Sequence, residues 1–101
     1  MRKKPTHPGI ILKEMYMIPM ELTQESLAKK LKLSRATINR LCTEKGYITP
    51  KTALRLSKAL KTTPEFWLNM QNAYDLWVEE KKEKRVSITP IISSGIAAKR
   101  R

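Results

Sequence analysis

Apolar residues recur at helical spacing along five segments of this chain, and proline, glycine or threonine separates one segment from the next. The central pattern lies between Thr23 and Leu41, where two short runs each place their apolar residues on one face. Those residues are Leu27, Ala28 and Leu31 in the first run, and Ile38 and Leu41 in the second. Thr23 and Ser34 precede the two runs, and each has a hydroxyl that can cap the first turn of a helix. The pattern predicts an all-α fold of five helices with a closely connected pair at residues 23–41.

This pair has the features of a helix-turn-helix unit. Ala28 lies where two steeply crossing helices would touch, and a larger side chain there would hold them apart. Two capped helices of about two turns each, joined by three or four residues, form that unit. The second helix carries on its other side Arg35, Ala36, Thr37, Asn39 and Arg40. Arginine and asparagine read guanine and adenine edges in the major groove, so the pair predicts DNA binding. A helical hairpin in an unrelated bundle is the alternative that periodicity leaves open.

Start and stop residues outline the other helices. Thr49 and Thr63 each precede a proline, which fits the first helical position. Gly46 is placed to end the second helix of the pair, the recognition helix, in a left-handed conformation. We expect a first helix from Pro8 to Pro19, a fourth from Lys51 to Leu60, and a fifth from Glu65 to about Lys84. The helical pattern stops at Val86, so we expect one domain over residues 1–85 and a tail over 86–101 that is a short strand or disordered.

The fifth helix is apolar around more of its circumference than a small isolated domain usually buries. One stripe consists of Phe66, Met70, Ala73 and Trp77, and a second of Trp67, Tyr74 and Val78. This surplus predicts that residues 64–84 form a dimerisation helix, since tryptophan and tyrosine are typical interface anchors. The expected contacts are Trp67, Met70, Tyr74 and Trp77. A large core with a few exposed aromatic residues is the alternative.

The charge of the chain narrows the choice of partner. The 101 residues, enough for one domain, carry 21 Lys and Arg against nine Asp and Glu, a net charge of +12. Such a surplus favours a polyanion, nucleic acid first and a membrane surface second. No apolar run approaches the roughly 18 residues of a spanning helix, and we expect no signal peptide. The single cysteine, Cys42, cannot form an internal disulfide, so we expect a bacterial cytoplasm and association with the nucleoid.

The sequence contains no pattern typical of a metal site, a cofactor site or an enzyme active site. His7 is the only histidine, and without further ligands no metal site is expected. We expect no cofactor and no enzyme activity, because paired histidines, cysteine clusters and glycine-rich phosphate loops are missing. Cys42 is expected to be a buried structural thiol. The basic segment MRKKPTH, residues 1–7, is either an arm that touches phosphates or a frayed terminus. The acidic segment 65–80 should face away from DNA.

The segment TQESLAKKLKLSRATINRLCTEKGYITPKTALRLSKAL resembles the lambda-repressor-like, or XRE-type, helix-turn-helix domain. With HPGIILKEMY before it and TPEFWLNMQNAYDLW after it, the span of residues 7–80 resembles the HigA family of antitoxins, also called virulence-associated protein I. The helix-turn-helix pattern is shared by many repressors. The HPG start and the aromatic fifth helix are narrower features, and they favour the antitoxin family.

The resemblance implies a five-helix dimer that binds a palindromic operator, represses its own operon and neutralises a HigB-type ribonuclease toxin. It also implies that Gln24 contacts phosphate and that Lys45 contacts the DNA backbone after the recognition helix. The residues expected at the DNA are Thr23, Gln24, Ser34, Arg35, Ala36, Thr37, Asn39, Arg40 and Lys45.

One departure and two alternatives accompany this resemblance. Lys32 occupies the turn where most such motifs have glycine, so a left-handed backbone there would cost roughly 1 kcal/mol, or the turn differs. An orphan regulator without a toxin would bind DNA in the same way. A protein-interaction module would use the acidic, aromatic fifth helix and would show no salt-dependent DNA binding.

Overall fold

A computed structural model of the protein describes residues 2–92. Its elements are α1 (Pro8–Ile11), which continues as a π-helical turn (Leu12–Met17), α2 (Gln24–Leu31), α3 (Arg35–Cys42), α4 (Pro50–Leu60), and α5 (Pro64–Lys82), which ends in a 3-10 turn (Glu83–Arg85). Within the described residues the fold is all-helical with five helices, as predicted. None of these helices is long and apolar enough to cross a membrane.

Side-chain caps start all five helices. Thr23, Ser34, Thr49 and Thr63 each accept a hydrogen bond from the backbone N–H three residues further on, at 3.0 to 3.2 Å. These caps confirm the start residues predicted for α2 to α5. The cap of α1 was not predicted: Nδ1 of His7 accepts a hydrogen bond from the N–H of Gly9 at 2.9 Å. Each cap satisfies a donor that the first helical turn leaves unpaired.

The core lies where the helix-turn-helix pair meets α1, α4 and α5. Ala28 is 4% exposed at the predicted helix crossing. The most completely buried large side chains are Leu12, Leu27, Ile38, Leu41, Leu56 and Trp67. The apolar positions predicted for α2 and α3 therefore all face this core, which holds the opposite side of α3 toward solvent.

The end of α3 differs from the prediction. The helix ends at Cys42, and the left-handed residue is Glu44, with φ 63°, rather than Gly46. The backbone N–H groups of Lys45 and Gly46 both donate to the carbonyl oxygen of Arg40, at 2.8 and 2.9 Å. The chain thus turns back two residues earlier than expected. Gly46 serves a close approach instead, because a Cβ atom there would lie 3.2 Å from the Arg40 backbone.

Trp67 belongs to the core of its own chain. It is 0% exposed, and its Nε1 donates a hydrogen bond to Oγ1 of Thr62 at 2.7 Å. A side chain without exposed surface cannot contact a second copy, so its predicted place in a dimer interface is wrong. Tyr74 is half-buried, with its ring edge-on to His7 at 4.8 Å between centroids. Met70 and Trp77, on the neighbouring stripe of α5, remain half-buried.

The amino terminus of the described chain lies near α5. Arg2 forms an ion pair with Glu80 at 2.9 Å, and the ammonium of Lys4 lies 5.4 Å from the centroid of the Trp77 ring. The basic amino terminus therefore lies along the acidic helix, which differs from both alternatives considered for it. Residues 86–92 are exposed and form neither helix nor strand. The rest of the predicted tail, residues 93–101, lies outside the described residues.

Candidate nucleic-acid interface

The N-terminal turn of α3 is fixed by two hydroxyl groups. Oγ of Ser34 accepts from the Thr37 N–H at 3.1 Å, and the two hydroxyl oxygens lie 2.8 Å apart. Because these hydroxyls bond to each other, Ser34 and the half-buried Thr37 shape the start of the recognition helix. Thr23 does the same for α2 by accepting from the N–H of Ser26 at 3.0 Å. All three were predicted at the DNA, and in the structure each makes a hydrogen bond at the first turn of its own helix.

The outer face of α3 is exposed and positively charged. Ile38, Leu41 and Cys42 point into the core, so the opposite side presents Arg35, Ala36, Asn39 and Arg40. The described residues contain two ion pairs, Arg2 with Glu80 and Lys82 with Glu79, and both involve α5. The arginines of α3 are therefore not neutralised by an acid within the part of the chain that the structure describes.

Gln24 lies beside this face, at the first position of α2. Nδ2 of Asn39 donates a hydrogen bond to its Oε1 at 3.2 Å. This bond is the direct side-chain link between the two helices of the motif on their solvent side. It brings together two residues that were predicted to play different roles, one at phosphate and one at a base.

The turn between the helices takes the left-handed conformation at Lys32, with φ 56° and ψ 44°. A lysine there bears the backbone cost expected from the sequence. Arg55 of α4 supports the turn, because its Nη1 donates to the carbonyl oxygens of Leu31 and Lys32 at 3.3 and 2.8 Å. These are carbonyls that the end of α2 would otherwise leave unpaired.

Lys45 lies in the loop between α3 and α4, next to the recognition helix. A groove of about 300 Å³ separates them, with Thr37 and Arg40 on one side and Lys45 and Tyr47 on the other. Lys45 is exposed, as its predicted contact with the DNA backbone requires. The structure thus connects Gln24 to α3 through the bond with Asn39, and brings Thr37, Arg40 and Lys45 to one groove.

Two residues that hold the loop carried no recognisable sequence signal. His7 is 2% exposed, and its Nε2 lies 3.1 Å from the carbonyl oxygen of Gly46. Since Nδ1 accepts from Gly9, Nε2 carries the proton and donates. Gln71 is 4% exposed, and its Oε1 accepts from the Ile48 N–H at 2.7 Å. Their partners are 39 and 23 residues away in the sequence, beyond any local pattern.

Cys42 is buried behind the recognition helix, as predicted. Its Sγ donates to Sδ of Met17 at 3.7 Å. Burial raises the pKa of the Cys42 thiol, and the positive charge of Lys13 offsets part of that rise. The thiol is therefore a packing group and not a reactive thiolate. Within residues 2–92 no three His, Cys, Asp or Glu side chains lie close enough together to hold a metal ion.

Comparison with known proteins shows the family to which this chain belongs. The family described as helix-turn-helix matches residues 12–67. Virulence-associated protein I of Dichelobacter nodosus is 44% identical over 82 residues, which cover 81% of this chain and 76% of that protein. Antitoxin HigA-1 of Vibrio cholerae is 40% identical over 76 residues, which cover 75% and 71%. The chain belongs to the HigA-type helix-turn-helix family. The resemblance seen in the sequence is confirmed.

Solved structures of this HigA-type family share the fold. The antitoxin GraA has a TM-score of 0.84 and 38% identity, covering 89% of this chain and 100% of GraA. GraA in complex with its operator has a TM-score of 0.79 and 38% identity, covering 92% of this chain and 95% of GraA. The similarity extends beyond the helix-turn-helix pair, because coverage at this level includes the long α5.

Proposed function

We propose that this protein is a sequence-specific DNA-binding repressor of its own operon and the antitoxin of a type II toxin–antitoxin pair. The observation that carries the DNA-binding role is the exposed, unneutralised polar face of α3 within the described chain, linked to α2 through Gln24. Membership of a family that includes the antitoxin HigA-1, and similarity to GraA bound to its operator, support the same role.

In this proposal α3 enters the major groove. Arg35 and Arg40 donate to guanine, Asn39 pairs with adenine, and the methyl group of Ala36 can pack against a thymine methyl. Gln24 and Lys45 contact phosphates on either side and set the register of the helix on the duplex. The caps Thr23 and Ser34, together with Thr37, hold both helices in the geometry that these contacts need.

The test is a fluorescence anisotropy titration against the DNA upstream of the gene, with a random duplex as control, at two salt concentrations. Tight binding that favours the upstream DNA is expected. Arg35→Ala should weaken operator binding by about 1–3 kcal/mol and affect the random duplex much less. Arg85→Ala is the matched control, since it removes the same charge from the exposed end of α5. Equal binding of both duplexes by the wild-type protein would favour the protein-interaction module instead.

A palindromic operator calls for two copies of the protein. A dimer places two recognition helices about one DNA turn apart, which suits two half-sites. With Trp67 buried and Tyr74 packed on His7, Met70 and Trp77 remain the candidate contacts. Met70→Glu should give a monomer in sedimentation experiments. Asn72→Glu adds the same charge at an exposed position of α5 and should leave the dimer intact.

The proposed protein partner is a HigB-type ribonuclease toxin, encoded next to this gene. Co-expression with the product of the neighbouring gene should yield a complex that purifies intact and abolishes RNA cleavage by that product. A protein that binds its operator but neither captures nor inhibits the neighbouring product would be an orphan regulator. We expect this protein to meet its operator DNA, its second copy and the toxin in the cytoplasm, at the nucleoid.

A further inference from the structure

The loop between α3 and α4, residues 43–49, is held from behind by two buried side chains outside the proposed DNA contacts. Nε2 of His7 donates to the Gly46 carbonyl oxygen, and Oε1 of Gln71 accepts from the Ile48 N–H. The one cation of the loop, Lys45, comes directly before these anchor points. The loop is therefore fixed relative to α1 and α5, and not only relative to the recognition helix that it follows.

Gln71 is bonded at both ends of its amide. While Oε1 faces the loop, Nε2 donates to Oδ1 of Asp75, one turn further along α5, at 2.9 Å. A flipped amide would turn Nε2 toward the Ile48 N–H, and two donors would face each other. The carboxylate of Asp75 only accepts hydrogen bonds, so it selects the orientation in which Oε1 meets the loop. Asp75 thereby sets the direction of the bond that Gln71 makes.

Close packing holds the loop through the buried side chain of Ile48 but does little for the residues before it. A cleft of about 340 Å³ opens between the loop and α5, and both Gln71 and Asp75 line it. Tyr47, between the two anchored residues, is largely exposed. Ile48 packs into the core, whereas Lys45, Gly46 and Tyr47 line the cleft, so the position of these three residues toward α5 depends on the hydrogen bonds from His7 and Gln71. A polar residue buried where an apolar one could pack is consistent with such a role.

We propose that Gln71, oriented by Asp75, is a positioning residue of the DNA interface that fixes the loop so that Lys45 meets an operator phosphate. This inference rests on the proposed DNA binding. Gln71 itself touches no DNA, so it affects the phosphate contact and not the reading of bases. Its loss should weaken binding to all sequences alike and make that binding less dependent on salt.

The decisive variant is Gln71→Met, which keeps the length of the side chain and removes both hydrogen bonds. Affinity for the operator and for random duplex should each fall by roughly tenfold. The slope of log affinity against log salt should flatten by about 0.9 for each protomer, the value of one phosphate contact. Lys45→Ala should give the same flattening, and combining the two variants should flatten the slope no further.

Two further variants separate positioning from general stability. Asp75→Asn keeps an oxygen acceptor for Gln71 and should bind as the wild type does, whereas Asp75→Ala should behave like Gln71→Met. Thr62→Val removes the part-buried acceptor of the Trp67 indole, just before the start of α5. It should lower the melting temperature and leave the salt slope unchanged.

The outcomes are distinct from those of the proposed function. If the wild-type protein does not prefer its operator, the proposed function fails. If it does, and folded Gln71→Met keeps the wild-type salt slope, this inference alone is overturned. An unchanged slope for Lys45→Ala, or a flattened slope for Thr62→Val, would overturn it as well. Should Gln71→Met not fold, the comparison of Asp75→Asn with Asp75→Ala decides.

Discussion

The side-chain amide of Asn39 donates a hydrogen bond to Oε1 of Gln24 across 3.2 Å, from the outer face of α3 to the first residue of α2. An amide nitrogen has two hydrogens, so Nδ2 of Asn39 keeps one for N7 of adenine while Oδ1 can accept from N6. Gln24 likewise keeps its own Nε2 for a phosphate. The proposed phosphate contact of Gln24 and the proposed base contact of Asn39 are therefore linked by this hydrogen bond.

This link predicts that the two residues act as a unit on DNA. Gln24→Ala should lower the affinity for the operator and also reduce the preference for operator over random duplex, because Asn39 loses its orientation. In a double-mutant cycle with Asn39→Ala, the two losses should fall short of additivity by about 1 kcal/mol. Anisotropy titrations of the four proteins on both duplexes measure this.

The pair Gln24 and Lys45 is the control for that cycle, since no bond joins their side chains. Their losses should add within about 0.5 kcal/mol. Full additivity of the Gln24 and Asn39 variants, with an unchanged preference for the operator, would mean that the bond has no part in base reading.

The left-handed residues at the ends of α2 and α4 give a prediction about stability. Lys32 and Lys61 have nearly the same backbone angles, with φ 56° and 55°. A non-glycine residue bears a cost of roughly 1–2 kcal/mol there, whereas glycine loses roughly 0.5–1 kcal/mol through its freer unfolded chain. Lys32→Gly and Lys61→Gly should therefore each raise the free energy of unfolding by up to about 1 kcal/mol in urea titrations.

DNA binding should separate these two variants. Lys32 lies in the turn of the helix-turn-helix unit and Lys61 at the far end of α4, so only Lys32→Gly is expected to weaken binding, on both duplexes alike. If neither variant gains stability, the left-handed conformation costs lysine no more than glycine loses through its freer unfolded chain.

Local features of the sequence were enough to predict the starts of α2 to α5 and the exposed side of α3. Each cap acts over three residues, and each apolar stripe repeats within one helix, so both are visible along the chain. The two stripes of α5 are similarly apolar, and which one faces the core depends on other helices. Trp67 lies against Tyr16, with ring centroids 5.8 Å apart, and this contact has no local sign.

The two residues that anchor the loop between α3 and α4 could not be predicted either, because their partners are also distant in the sequence. His7 and Gln71 bond to backbone groups, and a backbone group has no residue type that a sequence could reveal. The π-helical turn of α1, where the Ile18 N–H donates to the Lys13 carbonyl oxygen at 3.0 Å, was likewise unpredicted. The lack of further ligands in the sequence argued against a metal site at His7 but left its structural role unrecognised.

That structural role can be tested directly. His7→Ala removes the cap of α1, the bond to Gly46 and the ring that packs against Tyr74, so we expect a loss of about 2–4 kcal/mol in the free energy of unfolding. His7→Asn keeps an oxygen that can cap α1 and should recover about 1 kcal/mol of this loss. Thermal unfolding followed by circular dichroism measures both.

Thr6→Ala is the control, because Thr6 is the exposed neighbour of His7. It should leave the melting temperature within the error of the measurement. Equal stability of His7→Ala and the wild type would show that the three contacts contribute nothing net. Equal loss in His7→Asn and His7→Ala would show that the cap is not the part that matters.

The buried thiol of Cys42 predicts a dependence of stability on alkaline pH. Its pKa is raised above the ordinary value of 9.0 in the folded protein, mainly by burial. The unfolded chain therefore releases this proton first as the pH rises, and the free energy of unfolding falls once the pH exceeds about 9. Below that pH the thiol is neutral in both states, and its contribution is constant.

Comparison with Cys42→Ala isolates this contribution, since the two proteins differ at this residue alone. At pH 7 the variant should be less stable by about 1 kcal/mol, because the buried sulfur and its contact with Met17 are lost. Urea titrations at pH 7, 8, 9 and 10 should show a constant difference up to pH 8 and a smaller one at pH 10. A difference that stays constant through pH 10 would mean that the folded protein accommodates the thiolate as well as water does, and that burial behind α3 does not keep the proton on Cys42.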